Sequence, residues 1–231
     1  MIENPDAIDE ITKREPSTTG SRREAASNEG VPTVLSNTVS PNAIVVRLHP
    51  DAQVRVANLE RNFYTTSSCG VCGKASLAAL RVVSPPRTFD AFEMRASVLS
   101  SMPKLLRDMQ PIFATTGGLH GAAIISADGD IELTREDVGR HNAVDKLIGH
   151  GVTSWTLPFR NRCLLLSGRA SFELMQKAVM AGIPFVAAVG APSSLAVTVA
   201  NEFDITLVGF LRDDRFNVYS GIRRLSDLTH V

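Results

Sequence analysis

The chain has 231 residues, 44% of them hydrophobic, which is enough apolar material for a core of ordinary size. Its 24 basic and 24 acidic residues cancel, so no whole-molecule field draws it to nucleic acid or to an anionic membrane. No stretch approaches the roughly 20 apolar residues of a transmembrane helix, the start lacks the apolar centre of a secretory signal, and three cysteines make no disulfide scaffold; a reducing, cytoplasmic setting is expected.

Residues 1–40 are polar and charged without a period of 2 or 3.6, so they are expected to form a disordered tail ahead of a folded domain at 41–231. AIVVRL (Ala43–Leu48) is β-branched and reads as a strand. KASLAAL (Lys74–Leu80) is helix-forming and ends at Ser84-Pro85-Pro86. FDAFEMRASVLSSMPKLLRDM places Phe89, Phe92, Leu99, Leu105 and Leu106 at helical spacing, interrupted or restarted at Pro103. AAIIS and IELTRED flank an Asp-Gly turn, a hairpin signal. HNAVDKLIGHG predicts a helix ending near Gly149.

The last third alternates strongly. CLLLSG, IPFVAAVG and DITLVGF read as buried strands, separated by the helices SFELMQKAVMAG, closed by Gly182, and APSSLAVTVANEF. Short loops between such elements predict a parallel sheet with right-handed crossovers, and ligands collect at the carboxyl ends of those strands. The ends are Ser167–Arg169, Gly190–Ser194 and Gly209–Arg215.

The densest chemical signal is Ser68-Cys69-Gly70-Val71-Cys72-Gly73-Lys74. Two cysteines three apart, entering a helix beside a lysine, meet free N–H groups and positive charge, both of which favour thiolate. Such a thiolate can take the terminal sulfur of a persulfide and pass it on, with the second cysteine sharing the transfer or resolving it. The alternative is half a zinc site completed from His120, His141 and Cys163, or inert packing. Zinc deaminases need His-x-Glu and then Pro-Cys-x-x-Cys; Ser68 precedes Cys69 and no His-x-Glu lies upstream.

Other polar groupings are less specific. Thr115-Thr116-Gly117-Gly118-Leu119-His120-Gly121 is either a tight turn with a satisfied histidine or part of a site. Arg135–Asn142 is either an elaborate helix cap with surface ion pairs or a site lining with His141 as proton relay. Ser167-Gly168-Arg169 and Gly190–Ser194 are either N-caps or anion sites, and Arg169 favours phosphate. Phe210-Leu211-Arg212-Asp213-Asp214-Arg215 is otherwise a charged surface turn. Cys163 opens a buried strand and reads as a core thiol.

FYTTSSCGVCGKASL, TGGLHGAA, REDVGRHNAVDKLIG, SGRASFELMQKA, GIPFVAAVGAPSSLAV and GFLRDDRFNVY together resemble, in order, the formate dehydrogenase accessory sulfurtransferases, over about residues 44–220. The resemblance implies a cytidine-deaminase-like three-layer α/β/α core with a mixed, partly parallel sheet, without deaminase activity. It implies transfer of sulfur from a cysteine desulfurase to the molybdenum–bis(molybdopterin guanine dinucleotide) cofactor, a bound substrate, for the formate dehydrogenase catalytic subunit. Cys69 matches the persulfide carrier and Cys72 its companion; Phe210, Leu211, Arg212, Asp213, Asp214 and Arg215 match a stretch that contributes to cofactor binding. There the arginines suit phosphates and a carboxylate suits guanine N1–H and N2–H₂. The resemblance further implies a homodimer with no metal of its own. A β-rich segment with Arg-Thr-Pro-Gly, usual in the family before the cysteine loop, has no counterpart, and residues 1–40 stand in its place. Two alternatives stay open: a chaperone that only binds the cofactor, and a zinc-dependent deaminase-like enzyme.

Overall fold

The computed structural model describes residues 8–13, 44–50, 77, 80–81, 92–154 and 156–228, and the chain divides into two units, 1–64 and 65–231. In the first, β1 (Ile8–Lys13) pairs antiparallel with β2 (Ile44–Leu48), setting Ile11 opposite Val46 and Glu10 opposite Arg47. The predicted strand at 43–48 is therefore present. Within the segment expected to be a tail, Ile8–Lys13 forms a strand. Its β-branched Ile8, Ile11 and Thr12 suit pairing with another strand, which a search for a self-contained apolar period does not detect. The rest of 1–40 lies outside the described residues.

The second unit is built on a six-stranded sheet of order β5-β4-β6-β7-β8-β9. After the short β3 (Met94–Arg95) come α1 (Ala96–Asp108), α2 (Pro111–Thr116), and the hairpin β4 (His120–Ile125) and β5 (Ile131–Asp137). Then follow α3 (Arg140–Thr153), β6 (Cys163–Leu166), α4 (Phe172–Met180), β7 (Phe185–Ala188), α5 (Ser194–Glu202), β8 (Thr206–Gly209), β9 (Asn217–Ser220) and β10 (Leu225–Ser226). Strands β6, β7 and β8 run parallel, whereas β4, β5 and β9 join antiparallel. The sheet is thus mixed.

Burial explains why β6 to β8 read as continuous apolar runs. Successive side chains of a strand point to opposite faces, and here both faces are covered. Ile124, Leu164, Leu166, Val186, Ala188 and Leu207 pack in one core with Val144, Leu147, Leu174 and Val199 of α3 to α5. Ile125, Cys163, Leu165, Phe185, Ala187 and Val208 pack in the other with Leu99, Met102 and Leu106 of α1. Three layers result. Leu80 is buried in the α3-to-α5 core and Leu77 packs against it, so the predicted helix at 74–80 is represented by residues on that face.

Two helices depart from expectation. α1 begins at Ala96, after extended Met94–Arg95, and runs unbroken through Pro103. A proline inside a helix costs about 3 kcal/mol, but burying a large apolar side chain contributes roughly 1.5–3 kcal/mol. Leu99, Met102 and Leu106 are all buried on the helix's inner side, and the packing wins. α3 does not stop at Gly149 but continues to Thr153. Gly149 meets nothing within 4 Å, whereas a Cβ on Gly151 would come 2.6 Å from Phe159 Cζ; the later glycine lets the 157–159 loop close on the last turn.

Distant chain closes the start of α1. β10 pairs parallel with β3, and Asp227 Oδ1 accepts from the Ala96 N–H at 2.6 Å while Ser97 Oγ donates to Oδ2 at 2.5 Å. No helix among the described residues is long and apolar enough to cross a membrane.

Candidate functional site

The parallel strands deliver their loops to one edge. Because β4 is antiparallel to β6 and β5 to β4, His120 at the start of β4 and Asp137 at the end of β5 reach the same edge as Ser167–Arg169, Val189–Ser194 and Phe210–Arg215. The ladder continues beyond the strands. Gly190 N–H donates to Gly168 O at 2.9 Å, Phe210 N–H to Gly190 O at 3.1 Å and Leu211 N–H to Ala188 O at 3.1 Å. Ser167 is held at both ends, its N–H donating to Gly121 O at 3.0 Å and its Oγ accepting from Gly121 N–H at 2.8 Å. A Cβ on Gly190 would fall 2.8 Å from Arg169 N, so only glycine lets these loops close.

Arg169 and Arg212 each lie against the 189–190 crossing. A Cβ on Gly190 would lie 2.9 Å from Arg169 Cγ, and Arg212 Nη1 donates to Val189 O at 2.6 Å and Leu211 O at 2.8 Å. In the 210–215 loop, Leu211 is buried in the α1-side core and anchors the turn. Phe210 is half exposed at φ +53°, a conformation a bulky residue rarely adopts. Asp213 lines a groove of about 530 Å³ with Ser97, Ser100, Ser101, Lys104, Leu105 and Asp108 of α1. Asp214 and Arg215 form a 3.5 Å pair largely in solvent, a type worth little to stability. Arg169, Arg212 and Asp213 are thus all carried on the strand-end loops.

Residues 135–142 are in large part a helix cap. Glu136 accepts from the Phe113 N–H at 2.7 Å and the Ile112 N–H at 3.1 Å. Asp137 accepts from Lys146 Nζ at 2.6 Å, Gly139 N–H at 2.9 Å and Asn142 Nδ2 at 3.0 Å. Those bonds, Lys146 first, hold its carboxyl down to about 2. His141 is different. Its Nε2 lies 3.3 Å from Ser171 Oγ and 3.8 Å from Glu173 Oε2. Burial and then the Arg140 charge lower its pKa against the opposing pull of Glu173, which favours the neutral ring of a proton relay. His120 stands against Gly168, whose Cβ would meet Nδ1 at 3.2 Å.

Of the residues that could complete a zinc site with the two cysteines, His120 and His141 stand near the strand-end edge and Cys163 does not. Cys163 begins β6, roughly 13 Å along the strand from Ser167, and is buried in the α1-side core, where desolvation pushes its thiol pKa far up. Among the described residues no group of three or more His, Cys, Asp or Glu could hold a metal ion. Cys69 and Cys72 lie outside the described residues. Two site-edge residues escaped the sequence reading. Gln110, between α1 and α2, is 4% exposed beneath Gly121, and Asp227 caps a helix 131 residues away. Neither has a local pattern to reveal it.

A mixed sheet between two helical layers, with glycine-closed and arginine-bearing loops at the ends of its parallel strands, defines an α/β protein of the three-layer class. The chain belongs to the FdhD/NarQ family, whose pattern matches residues 4–226, a wider span than the motifs at 44–220. It is 57% identical over 169 residues to the sulfur carrier protein FdhD of Mycolicibacterium paratuberculosis, covering 73% of this chain and 62% of that one. Identity to the same-named protein of Streptomyces avermitilis is 54% over 187 residues, 80% of this chain and 66% of the relative. The Sulfurisphaera tokodaii protein is 40% identical over 184 residues, 80% and 69%. The chain thus spans just under two thirds of the length of the first two. A crystal structure provisionally described as a formate dehydrogenase accessory protein of Desulfotalea psychrophila is 27% identical, with a TM-score of 0.55 over 60% of this chain and 59% of that one.

Proposed function

We propose that the chain is a sulfur carrier, the role that the names of its relatives give them, and that it serves the maturation of a molybdenum cofactor. The observation that carries the reading is the gathering of Arg169, Arg212 and Asp213 at one sheet edge, where the loops hydrogen-bond to one another. That edge suits the phosphates and guanine of the bis(molybdopterin guanine dinucleotide) cofactor, taken as substrate. Phe210 offers an exposed ring for stacking and Asp214 and Arg215 a charged rim.

Cys69 takes the sulfur and Cys72 assists. The Cys69 thiolate attacks the terminal sulfur of a cysteine desulfurase persulfide; the new S–S bond forms as the donor's breaks, and the donor cysteine leaves as thiolate and is protonated. No net oxidation occurs. Delivery to the cofactor destined for formate dehydrogenase breaks the Cys69 S–S bond and releases its thiolate, and the sulfane sulfur reaches the sulfide level by taking two electrons from the cofactor's reduced molybdenum. The reaction belongs in the cytoplasm, and a homodimer is the proposed assembly.

The test is mass spectrometry after incubation with a cysteine desulfurase. One sulfur, about +32 Da, is expected on the Cys69 peptide, absent in Cys69→Ala, with transfer weakened to a lesser or equal degree in Cys72→Ala. Sulfur on Cys163, or formate dehydrogenase restored by Cys69→Ala, would replace this reading with that of a cofactor chaperone. Arg212→Gln should weaken GDP binding while persulfide loading persists.

A further inference from the structure

Gln110 has the polarity of a surface residue and the burial of a core one. Its main chain is satisfied, the N–H donating to Arg107 O at 3.1 Å and the carbonyl accepting from Ala114 N–H at 2.9 Å. Its side chain is not. The residue is 4% exposed, and its amide nitrogen is buried without a hydrogen-bond partner among the described residues. The amide lies flat over β4. A Cβ on Gly121 would fall 2.4 Å from Cδ, 2.5 Å from Nε2 and 2.7 Å from Oε1, so the space it occupies exists only because residue 121 is glycine.

A buried donor without a partner lowers stability, whereas an apolar side chain of the same shape would not. Such a group calls for an explanation outside the fold's own bonding, and its position supplies one. Gly121 is bonded through Ser167 to the strand-end edge. Asp108, two residues before Gln110, shares a groove with Asp213 of the 210–215 loop. That groove runs along α1 from Ser97 to Asp108, so the amide stands just past one end of it, beside the strand-end edge that Ser167 and Gly121 join.

We propose that Gln110 is a ligand-recognition residue of this site, its carboxamide pairing in plane with the lactam edge of a purine or pterin ring. A carboxamide sets an N–H donor beside a C=O acceptor; a lactam sets a ring N–H beside a ring C=O, the complement. Guanine and pterin share that edge. The last torsion of a glutamine is broad, so the amide can rotate in place to present its N–H and C=O to an entering ring while α1 stays where it is. This inference rests on the cofactor-site reading above and adds the residue that selects the ring.

A cycle on the full chain tests it by calorimetry. GDP and 1-methyl-GDP, and separately pterin and 3-methylpterin, are titrated into wild type and Gln110→Met, the methyl group removing the lactam N–H in each case. For one ring, methylation should weaken wild-type binding about ten- to a hundredfold. Gln110→Met should weaken it similarly, and the two changes together no further, since they remove one interaction. The thermal midpoint of Gln110→Met should equal or exceed that of wild type. Independent, additive losses for both rings overturn the proposal, as does a lowered midpoint, which would give the amide a structural partner. Wild type binding neither GDP nor pterin removes the cofactor-site reading and the proposal together. Normal GDP binding with the methyl effect coupled to Asp213→Asn leaves the site and overturns Gln110 alone.

Discussion

Asp137 gives the acid limb of stability a specific source. Its carboxyl drops from an ordinary 3.8 to about 2 because Lys146, Gly139 and Asn142 donate to it in the folded chain. A depressed carboxyl contributes stability that is present above its unfolded value and is lost as pH falls through the folded one. The thermal midpoint of wild type should therefore fall from about pH 4 to about pH 2 more steeply than that of Asp137→Asn. Equal slopes would mean that the bonds do not persist in solution. His141 is also shifted down but for a different cause, burial, which disfavours its charged form, and its ring should titrate below the ordinary 6.5 in an NMR experiment. Cys163 is fully buried, so a thiol reagent should label it only after denaturation.

At the scale of elements, the capping pattern separates what sequence discloses from what it withholds. Ser193 accepts from the Ala196 N–H at 3.1 Å, a local cap read directly from Pro-Ser-Ser before an apolar helix. Ser193→Ala should cost about 1 kcal/mol in denaturant unfolding. Ser171 has the same appearance in sequence but makes no capping bond to its own helix and lies beside His141 instead; Ser171→Ala should spare stability and raise or lower the His141 titration. The strands β6 to β8 were legible because burial on both faces leaves an unbroken apolar run. Pro103 misled because its penalty is local while the compensating burial of Leu99 and Leu106 depends on a sheet that begins only at His120. Asp227 and Gln110 were illegible for the same reason, since each acts on chain that only the fold brings near.

At the scale of the whole molecule, the sheet is the shared wall of both cores. Phe185 is fully buried and meets Phe92 edge-on, with ring centroids 5.8 Å apart. Phe185→Ala should destabilise the 65–231 unit by about 3–5 kcal/mol, and a smaller loss would mean the α1 layer collapses into the space. That the loops bearing Arg169 and Arg212 share an edge was legible from strand order alone, because alternating strands and helices fix which ends lie together. The pairing of β1 with β2 was not, since 30 residues separate two short strands that owe their stability to each other. A chain beginning at residue 39 should lose protection at the Ile44–Leu48 amides in hydrogen exchange.

The bonds that run from Gly168 to Gly190 and on to Phe210 have a kinetic meaning. Connections that hydrogen-bond to one another, as these do, resemble an extra rung of the sheet more than free loops, and their amides should exchange as slowly as those of the strands. A ligand arriving at such an edge finds it already shaped. Little ordering entropy is lost on contact, so association should be rapid, with a single phase in stopped flow, and differences in affinity among nucleotides should appear in how long each stays.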